Sequence, residues 1–265
     1  MDKREKLEFI LYQMKIMIKK KDYVRLIIIS RKINKKNLEE EGIEDIKILY
    51  YSYLIIYYTH ENKFFDNAIC YKAIYDTLKK RPQVREKLPP VIDFDFSLDP
   101  KNLLENYVMY LAIDSYGVEQ VKHLHELREK YSDDLEANPH LKNIVDSMLS
   151  TELISVDVEG YGLSNLEIFS NKVEHSKGHY ENLRKQLIQH NLRIISTYYD
   201  RISTKRIAEL VGVDLDTAET ELCDMINRKL VTARINRPDG IVNFKQKKTE
   251  NETLNEWRFD IHKIL

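Results

Sequence analysis

The sequence has little glycine and proline, with 7 and 6 residues among 265. An average chain holds about 12% of the two together, so a collagen-like chain, a low-complexity disordered chain and a fold with many tight turns are all disfavoured. Only two cysteines occur, Cys70 and Cys223, and neither lies in a Cys-x-x-Cys or Cys/His cluster. This spacing argues against a disulfide framework and a structural zinc site, and it fits a reducing compartment.

Long apolar runs are also absent. The longest, residues 48–58, is too short to span a bilayer and is interrupted by Ser52, and charged residues leave no signal-peptide core near the first residue. The sequence therefore predicts no membrane segment. The 42 Lys+Arg and 43 Asp+Glu give a formal net charge of −1. This balance removes the electrostatic argument for a general nucleic-acid binder.

Catalytic signatures are missing as well. The seven glycines form no phosphate-binding loop, and no Gly-x-Ser-x-Gly elbow occurs. The segment His123-Leu124-His125-Glu126 lacks the second histidine of a His-Glu-x-x-His zinc helix and the serine expected after the His-x-His of deubiquitinating metalloproteases. We interpret it as part of a solvated helix. The sequence predicts no enzymatic activity, no cofactor and no metal.

What the sequence does contain is helical periodicity. Apolar residues recur at three- and four-residue steps, which predicts helices over residues 4–19, 23–33, 42–58, 64–78, 101–113, 117–130 and 138–151. Tyr23 and Ile27 are echoed 42 residues later by Phe65 and Ile69. Stacked helix pairs bury apolar faces that a single pair cannot, so residues 1–151 are predicted to form a helical-repeat solenoid.

The start of this solenoid is basic. Residues 1–36 hold 12 Lys+Arg and only 4 Asp+Glu. Two interpretations remain open for this asymmetry, a solvated helix face and a docking surface for an acidic partner.

A different pattern follows a connecting segment, residues 152–180, in which one short helix is predicted near 163–169. Helices at 180–200, 204–210 and 215–230 precede strands at 231–235 and 241–244, which an Asp239-Gly240 turn joins. This is the order of a winged helix, assigned to residues 181–246, with 247–265 as a C-terminal tail or helix. The predicted fold class is mainly α, a TPR-like α-solenoid followed by a winged helix with a small β-hairpin sheet.

A winged helix can bind DNA through its third helix, but the charges of this one oppose that function. Five carboxylates lie along it, and no cation precedes position 228: Asp214, Asp216, Glu219, Glu221 and Asp224. Such a helix would repel phosphate. Nucleic-acid binding is therefore disfavoured and is kept as an alternative that a salt titration of DNA binding would test.

The hairpin is instead predicted to contact other proteins. The end of a small sheet leaves backbone N–H and C=O groups unpaired, and the sheet of a neighbouring subunit can pair with them. Because proline removes a ladder donor, Val242→Pro is expected to weaken assembly. The candidate contact residues are Arg234, Ile235, Arg237, Pro238, Asp239, Gly240, Ile241 and Val242, with Ser203, Lys205 and Arg206 on the exposed face of the second helix.

Several segments carry a family resemblance. Eight segments resemble the PCI-domain lid subunits of the proteasome regulatory particle known as non-ATPase subunit five, or non-ATPase regulatory subunit 12. They are residues 8–14, 20–23, 28–34, 190–195, 198–203 and 254–257, together with Tyr71–Thr77 and Arg237–Phe244. PCI domains, which combine helical repeats with a winged helix, also occur in the COP9 signalosome and in the translation initiation factor three complex.

The resemblance implies a non-catalytic scaffold subunit of the proteasome lid that serves ubiquitin-dependent protein degradation. It implies a hetero-oligomer with other PCI subunits and with base or core-particle subunits, in the cytoplasm and nucleus, and no nucleic-acid or membrane partner. The signalosome subunit shares the Asp239–Val242 segment but matches less well at Tyr71–Thr77, and it is the alternative. The family has a longer N-terminal solenoid and a long final helix that joins a bundle of lid subunits, and neither is expected within these 265 residues.

Overall fold

The structure is a computed structural model that describes residues 3–87, 98–163, 166–169 and 176–244, with the single positions 254, 257 and 261. It divides into two compact units. The first contains residues 1–149 and 158–186, and the second contains residues 150–157 and 187–265. The predicted connecting segment, residues 152–180, is thus shared between the two units.

The first unit is helical. Consecutive helices pack on each other, α1 on α2, α3 on α4 and α4 on α5, as expected for stacked helix pairs. Single 3₁₀ turns at Lys35–Glu39, Pro82–Lys87, Glu159–Tyr161 and Glu167–Phe169 lie between or after them. The helices are α1 (Lys3–Lys19), α2 (Tyr23–Ser30), α3 (Glu44–His60), α4 (Phe64–Lys80), α5 (Pro100–Ile113), α6 (Val118–Lys130), α7 (Ser132–Glu136) and α8 (Pro139–Leu149).

The helical period located these helices well, and the fold class is confirmed. In the first unit, the structure differs from the prediction at the short elements. α2 ends at Ser30 rather than at residue 33, and α7 was not predicted, because one turn of helix contains too few apolar repeats to show a period. The helix predicted at 163–169 is a 3₁₀ turn at Glu167–Phe169, and residues 164 and 165 lie outside the described residues.

The second unit is a three-helix module with a small sheet. Its elements are the end of α9 (Ser176–Tyr198), β1 (Arg201–Ser203), α10 (Thr204–Val211), α11 (Leu215–Asn227), β2 (Ala233–Asn236) and β3 (Ile241–Phe244). The Ser203 side chain caps α10 by accepting a hydrogen bond from the Arg206 N–H, and Asp214 caps α11 through the Thr217 N–H. Gly212, with φ of +77°, ends α10 in the left-handed region.

Aliphatic side chains from every element of this unit form one core. Leu192 of α9, Ile207 of α10, Leu222 of α11 and Val242 of β3 are all buried in it. The core fixes the sheet against the helices, so the sheet keeps one covered face and one exposed face.

No helix among the described residues is long and apolar enough to cross a membrane. The predicted C-terminal tail or helix, residues 247–265, lies outside the described residues except for Leu254, Trp257 and Ile261, which are exposed.

Candidate protein-interaction surface of the winged helix

The sheet of the winged helix has three strands, one more than the sequence predicted. Its order is β1-β3-β2, and both pairings are antiparallel. Val242 of β3 lies between Ile202 of β1 and Ile235 of β2 in the register. β3 is therefore the central strand, and the outer strands of the sheet are β1 and β2.

This arrangement overturns one predicted role. Val242 and Ile241 were expected to offer a free strand edge, but β3 is paired on both sides within its own chain, and the Val242 side chain is buried. The prediction that Val242→Pro would test assembly is therefore wrong, because that change would break the module's own ladder. The sequence concealed this role because β1 is only three residues long, wedged between α9 and the cap of α10.

The open edge of the sheet is β2. Hydrogen bonds from Phe244 N–H to Asp200 C=O (2.8 Å) and from Thr204 N–H to Gly240 C=O (2.9 Å) show that the backbone groups of even-numbered β3 residues face β1. Backbone groups of an antiparallel strand alternate sides, so those of Ile241 and Asn243 face β2.

The same alternation assigns the backbone groups of β2. Arg234 and Asn236, the register partners of Asn243 and Ile241, are bonded to β3. The N–H and C=O groups of Ala233 and Ile235 therefore point outward, and within the described residues no strand pairs with this side of β2. Two residues of backbone are thus available for β-augmentation, and Ile235 is the only one of them in the predicted site.

The exposed face of the sheet carries positive charge. Arg201, Asn243 and Arg234 form one row across the three strands, and all three are exposed. Adjacent strands lie about 4.8 Å apart, so the two arginines stand about 10 Å apart. Neither has an ion pair with another described residue, which leaves both guanidinium groups available to carboxylates. Arg201 was missed as a candidate because β1 was missed.

Hydrogen bonds hold the turn of the hairpin. Gly240 N–H bonds to the Arg237 C=O at 3.1 Å, and Asp239 accepts a hydrogen bond from the Asn236 side chain at 2.6 Å. Gly240 has φ of +61°, a conformation that glycine adopts without strain. Its carbonyl accepts from the Thr204 N–H and hydroxyl, which ties the turn to the start of α10. Gly240 thus has a structural role, and exposed Pro238 and Asp239 form the tip.

The remaining predicted residues are exposed but partly engaged. Arg237 donates to Glu219 of α11 at 2.5 Å, and this carboxylate raises the pKa of the arginine. Arg206 pairs with Glu209 on its own helix at 2.9 Å, whereas Lys205 is exposed and makes no ion pair with a described residue. Ser203 caps α10, so its hydroxyl is already occupied.

The surface of α11 is acidic, as the sequence indicated. A cleft of about 520 Å³ beside the helix is lined by Asp216, Glu219 and Asp224, with Arg237 as its one cation among the lining residues. Polyanion binding at this face would bring phosphates against three carboxylates. The geometry therefore favours protein contacts by the sheet over nucleic-acid contacts by the helix.

The described residues contain no group of three or more His, Cys, Asp or Glu side chains placed to hold a metal ion. His123 instead contacts one side chain of α5 and one of its own helix: its Nδ1 lies 3.3 Å from the Tyr107 hydroxyl and 3.3 Å from Glu126. Burial and nearby Lys72 lower the pKa of His123. The His123–Glu126 segment is thus part of a structural polar network in the helical unit.

Comparison with known proteins agrees with this architecture. Residues 1–86 match the family model described as PSMD12/CSN4, N-terminal, and residues 123–246 match the model of the PCI domain. The whole chain aligns with 26S proteasome non-ATPase regulatory subunit 12 of Dictyostelium discoideum at 33% identity, covering 56% of that protein. It aligns with 26S proteasome regulatory subunit RPN5 of Saccharomyces cerevisiae at 31% identity, covering 57% of it.

The chain is also similar, more weakly and over only part of its length, to COP9 signalosome complex subunit 4 of Caenorhabditis elegans. The two are 32% identical over 38% of this chain and 24% of that protein. The chain aligns along its whole length with these proteasome relatives and covers a little over half of their length. The two family models account for most of the helical unit and for the winged helix. The chain therefore contains a PSMD12/CSN4 N-terminal domain and a PCI domain, and it is similar along its whole length to proteasome non-ATPase regulatory subunit 12.

Proposed function

We propose that this chain is a non-catalytic scaffold subunit of the lid of the proteasome regulatory particle, acting in ubiquitin-dependent protein degradation in the cytoplasm and nucleus. The relatives that align along its whole length are proteasome regulatory subunits, and this is the observation that carries the proposal. Among the described residues, the outer edge of β2 pairs with no strand, and this edge supports a role in protein contacts. Scaffolding is the function that these features support best.

The contact that we propose is edge pairing through β2. A neighbouring PCI subunit would hydrogen-bond to the outward backbone groups of Ala233 and Ile235, extending the three-stranded sheet. Carboxylates of that neighbour would meet Arg201 and Arg234 on the exposed sheet face. Base or core-particle subunits are further proposed partners of the chain.

The signalosome is the second candidate, and the partial match to its subunit 4 is the observation that favours it. Purification of the tagged chain from its own cells, followed by mass spectrometry, separates the two. Recovery of proteasome lid subunits supports the proposal. Recovery of signalosome subunits, or of no PCI protein, would contradict it.

The edge contact is tested in the same purification with Ala233→Pro. Ala233 is the first residue of β2, and its N–H points away from β3, so proline removes an outward donor and leaves the internal ladder intact. We expect the folded variant to lose its PCI neighbours. Thr232→Ala is the matched control, because it changes the exposed side chain next to Ala233, which has no role in the proposed contact, and keeps every backbone donor. Equal recovery of partners with Ala233→Pro would argue against edge pairing.

A further inference from the structure

The first helix pair presents apolar side chains to solvent that the proposed winged-helix contacts do not use. Phe9 and Tyr12 on α1, and Val24 and Ile28 on α2, are between 53% and 71% exposed. The members of each pair stand three or four residues apart, so each pair occupies one face of its helix. We call these four residues the outer face of the α1–α2 pair.

The other side of this pair is covered. Leu7, Leu11 and Met14 of α1 and Leu26 of α2 are buried, and both helices pack against α3. The helical period places Phe9 and Tyr12 away from that buried stripe. Two neighbouring helices form a groove that accepts a third helix, and here only the inner side has one among the described residues.

The charges around the outer face are strongly positive. Residues 1–36 carry a net charge of +8. The acids close to this face are engaged: Glu8 and Asp45 pair with Arg4, Glu40 pairs with Lys3, and Asp22 pairs with Arg25. Most other cations of this segment make no ion pair with a described residue, among them Lys19, Lys20, Lys21, Arg31 and Lys32.

These cations lie close in sequence to the two ends of α2. Lys19, Lys20 and Lys21 lie at the turn that joins α1 to α2. Arg31 and Lys32 follow Ile28 by three and four residues, at the other end of α2. The apolar residues of α2 are therefore bordered by positive charge at both ends.

We propose that the outer face of the α1–α2 pair binds an acidic amphipathic helix of a partner protein. The apolar stripe of that helix would pack on the four residues of the outer face. Its flanking Asp and Glu side chains would meet the cations at the two ends of α2.

A protein helix fits this face better than a nucleic acid does. Phosphates would satisfy the cations and a base could stack on Phe9 or Tyr12, but Val24 and Ile28 have neither a charge nor a ring. Burial of their exposed aliphatic surface requires an apolar partner. A partner with both carboxylates and an apolar stripe uses the whole face.

The test uses the full chain and a synthetic 18-residue helical peptide with a leucine stripe flanked by glutamates. Fluorescence anisotropy should show binding at 50 mM salt that weakens at least about fivefold at 300 mM salt. A control peptide with lysine at every glutamate position should bind at least about tenfold more weakly. Equal binding of the two peptides, or no binding of either, would overturn the proposal.

The face itself is tested by the double variant Val24→Ser/Ile28→Ser. Both residues are exposed, so the fold should survive, as far-UV circular dichroism can verify. We expect peptide affinity to fall about tenfold or more, because two apolar anchors are lost. Val118→Ser is the control, since Val118 is an 84% exposed aliphatic residue of the same unit on α6.

Two further measurements test whether the outer face binds a second copy of the chain or a nucleic acid instead of an acidic helix. Sedimentation of the unmodified chain that shows self-association, abolished in the double serine variant, would assign the face to a second copy and overturn the proposal. Binding of a 20-nucleotide single-stranded RNA that competes with the peptide and is unchanged in the serine variant would assign it to nucleic acid. Neither result bears on lid assembly, because only the purified chain is used.

Discussion

The two units of this chain bury different kinds of side chain. The core of the helical unit contains ten tyrosines: Tyr50, Tyr51, Tyr53, Tyr57, Tyr71, Tyr75, Tyr107, Tyr110, Tyr131 and Tyr161. The core of the winged-helix unit is aliphatic, with Met225 and Phe244 and no tyrosine. Its two tyrosines, Tyr198 and Tyr199, are exposed.

A tyrosine core brings hydroxyl groups into the interior, where each needs a polar partner or a path to water. Burial raises the pKa of Tyr50 and of Tyr110 to about 12, so both remain neutral donors. The helical unit accordingly contains polar links between its helices, such as the Lys72–Glu126 ion pair of 2.5 Å between α4 and α6. The winged-helix unit combines aliphatic packing with one central strand and a polar link between α9 and α11.

The largest expected effect is in that central strand. The Val242 N–H faces β1 within the sheet, and its side chain is buried, so Val242→Pro removes a ladder bond and apolar packing together. We expect the second unit to lose about 3 kcal/mol or more of stability. Hydrogen exchange of β3 and α11 amides should accelerate, while the near-UV circular dichroism of the tyrosines, 15 of 17 in the helical unit, should persist.

Ala233→Pro is the control for this strand, because its donor faces outward and the ladder is kept. Loss of the tyrosine signal in Val242→Pro would contradict the comparison, since it would show that the two units unfold together. Unchanged exchange in β3 would contradict the assignment of β3 as the central strand.

The second effect concerns a buried histidine of the winged-helix unit. His190 Nδ1 lies 3.3 Å from the Arg193 guanidinium, and its Nε2 lies 3.4 Å from the Glu152 carbonyl. Burial, with Arg193 nearby, lowers the pKa of His190 to about 4. The unfolded chain binds this proton near pH 6.5, so stability is present above pH 6.5 and is lost as the pH falls toward 4.

The loss should reach about 3 kcal/mol at pH 4. This loss of stability is measured by urea unfolding of the second unit at several pH values between 7 and 4, with hydrogen exchange of the β3 amides as the readout. In His190→Gln the same titration should be flatter by about that amount, because glutamine takes up no proton. A parallel slope in both proteins would show that His190 is protonated equally in the folded and unfolded states.

The sequence predicted most of this fold because long amphipathic helices show their period directly. Seven helices of the first unit and the three of the winged helix follow from it. The sequence did not reveal β1, because Arg201-Ile202-Ser203 is too short for its exposed–buried–exposed alternation to repeat. Without β1 the register was unknown, and Val242 could not be recognised as central.

The candidate site was predictable in part for the same reason. The Asp239-Gly240 turn and the exposed residues Arg234 and Arg237 could be located from local patterns. Which backbone groups point outward depends on pairing between distant strands, and no local signal carries that information. Arg201 joined the sheet face only through this pairing.

The third effect returns to the helical unit and has the opposite pH dependence. Burial, with Asp66 nearby, raises the pKa of Asp114 to about 6. The folded state therefore binds this proton more tightly than the unfolded chain, and its stability falls as the pH rises through 6. Asp114→Asn should stabilise the helical unit by about 2 kcal/mol at pH 7.5, after allowance for solvent screening, and by almost nothing at pH 4.

Urea unfolding followed by tyrosine circular dichroism measures this difference at the two pH values. Asp133→Asn is the matched control, because this exposed aspartate lies in the same unit. Destabilisation at pH 7.5 would mean that the hydrogen bonds the carboxylate accepts from the Ser115 and Phe65 N–H groups outweigh its burial. The two units would then respond to acid in the same direction.

The smallest effect distinguishes a tyrosine whose hydroxyl donates a hydrogen bond to another side chain from one whose hydroxyl does not. Tyr131 donates to the Asp76 carboxylate at 2.5 Å, across α4 and α6, whereas Tyr53 has no hydrogen bond to a described side chain and its pKa is raised by burial alone. Tyr131→Phe should cost about 2 kcal/mol, because a hydrogen bond to a charged acceptor is lost. Tyr53→Phe should cost less than about 0.5 kcal/mol. Equal costs in urea unfolding would mean that the tyrosines stabilise this unit by ring packing alone, as the aliphatic side chains do in the winged helix.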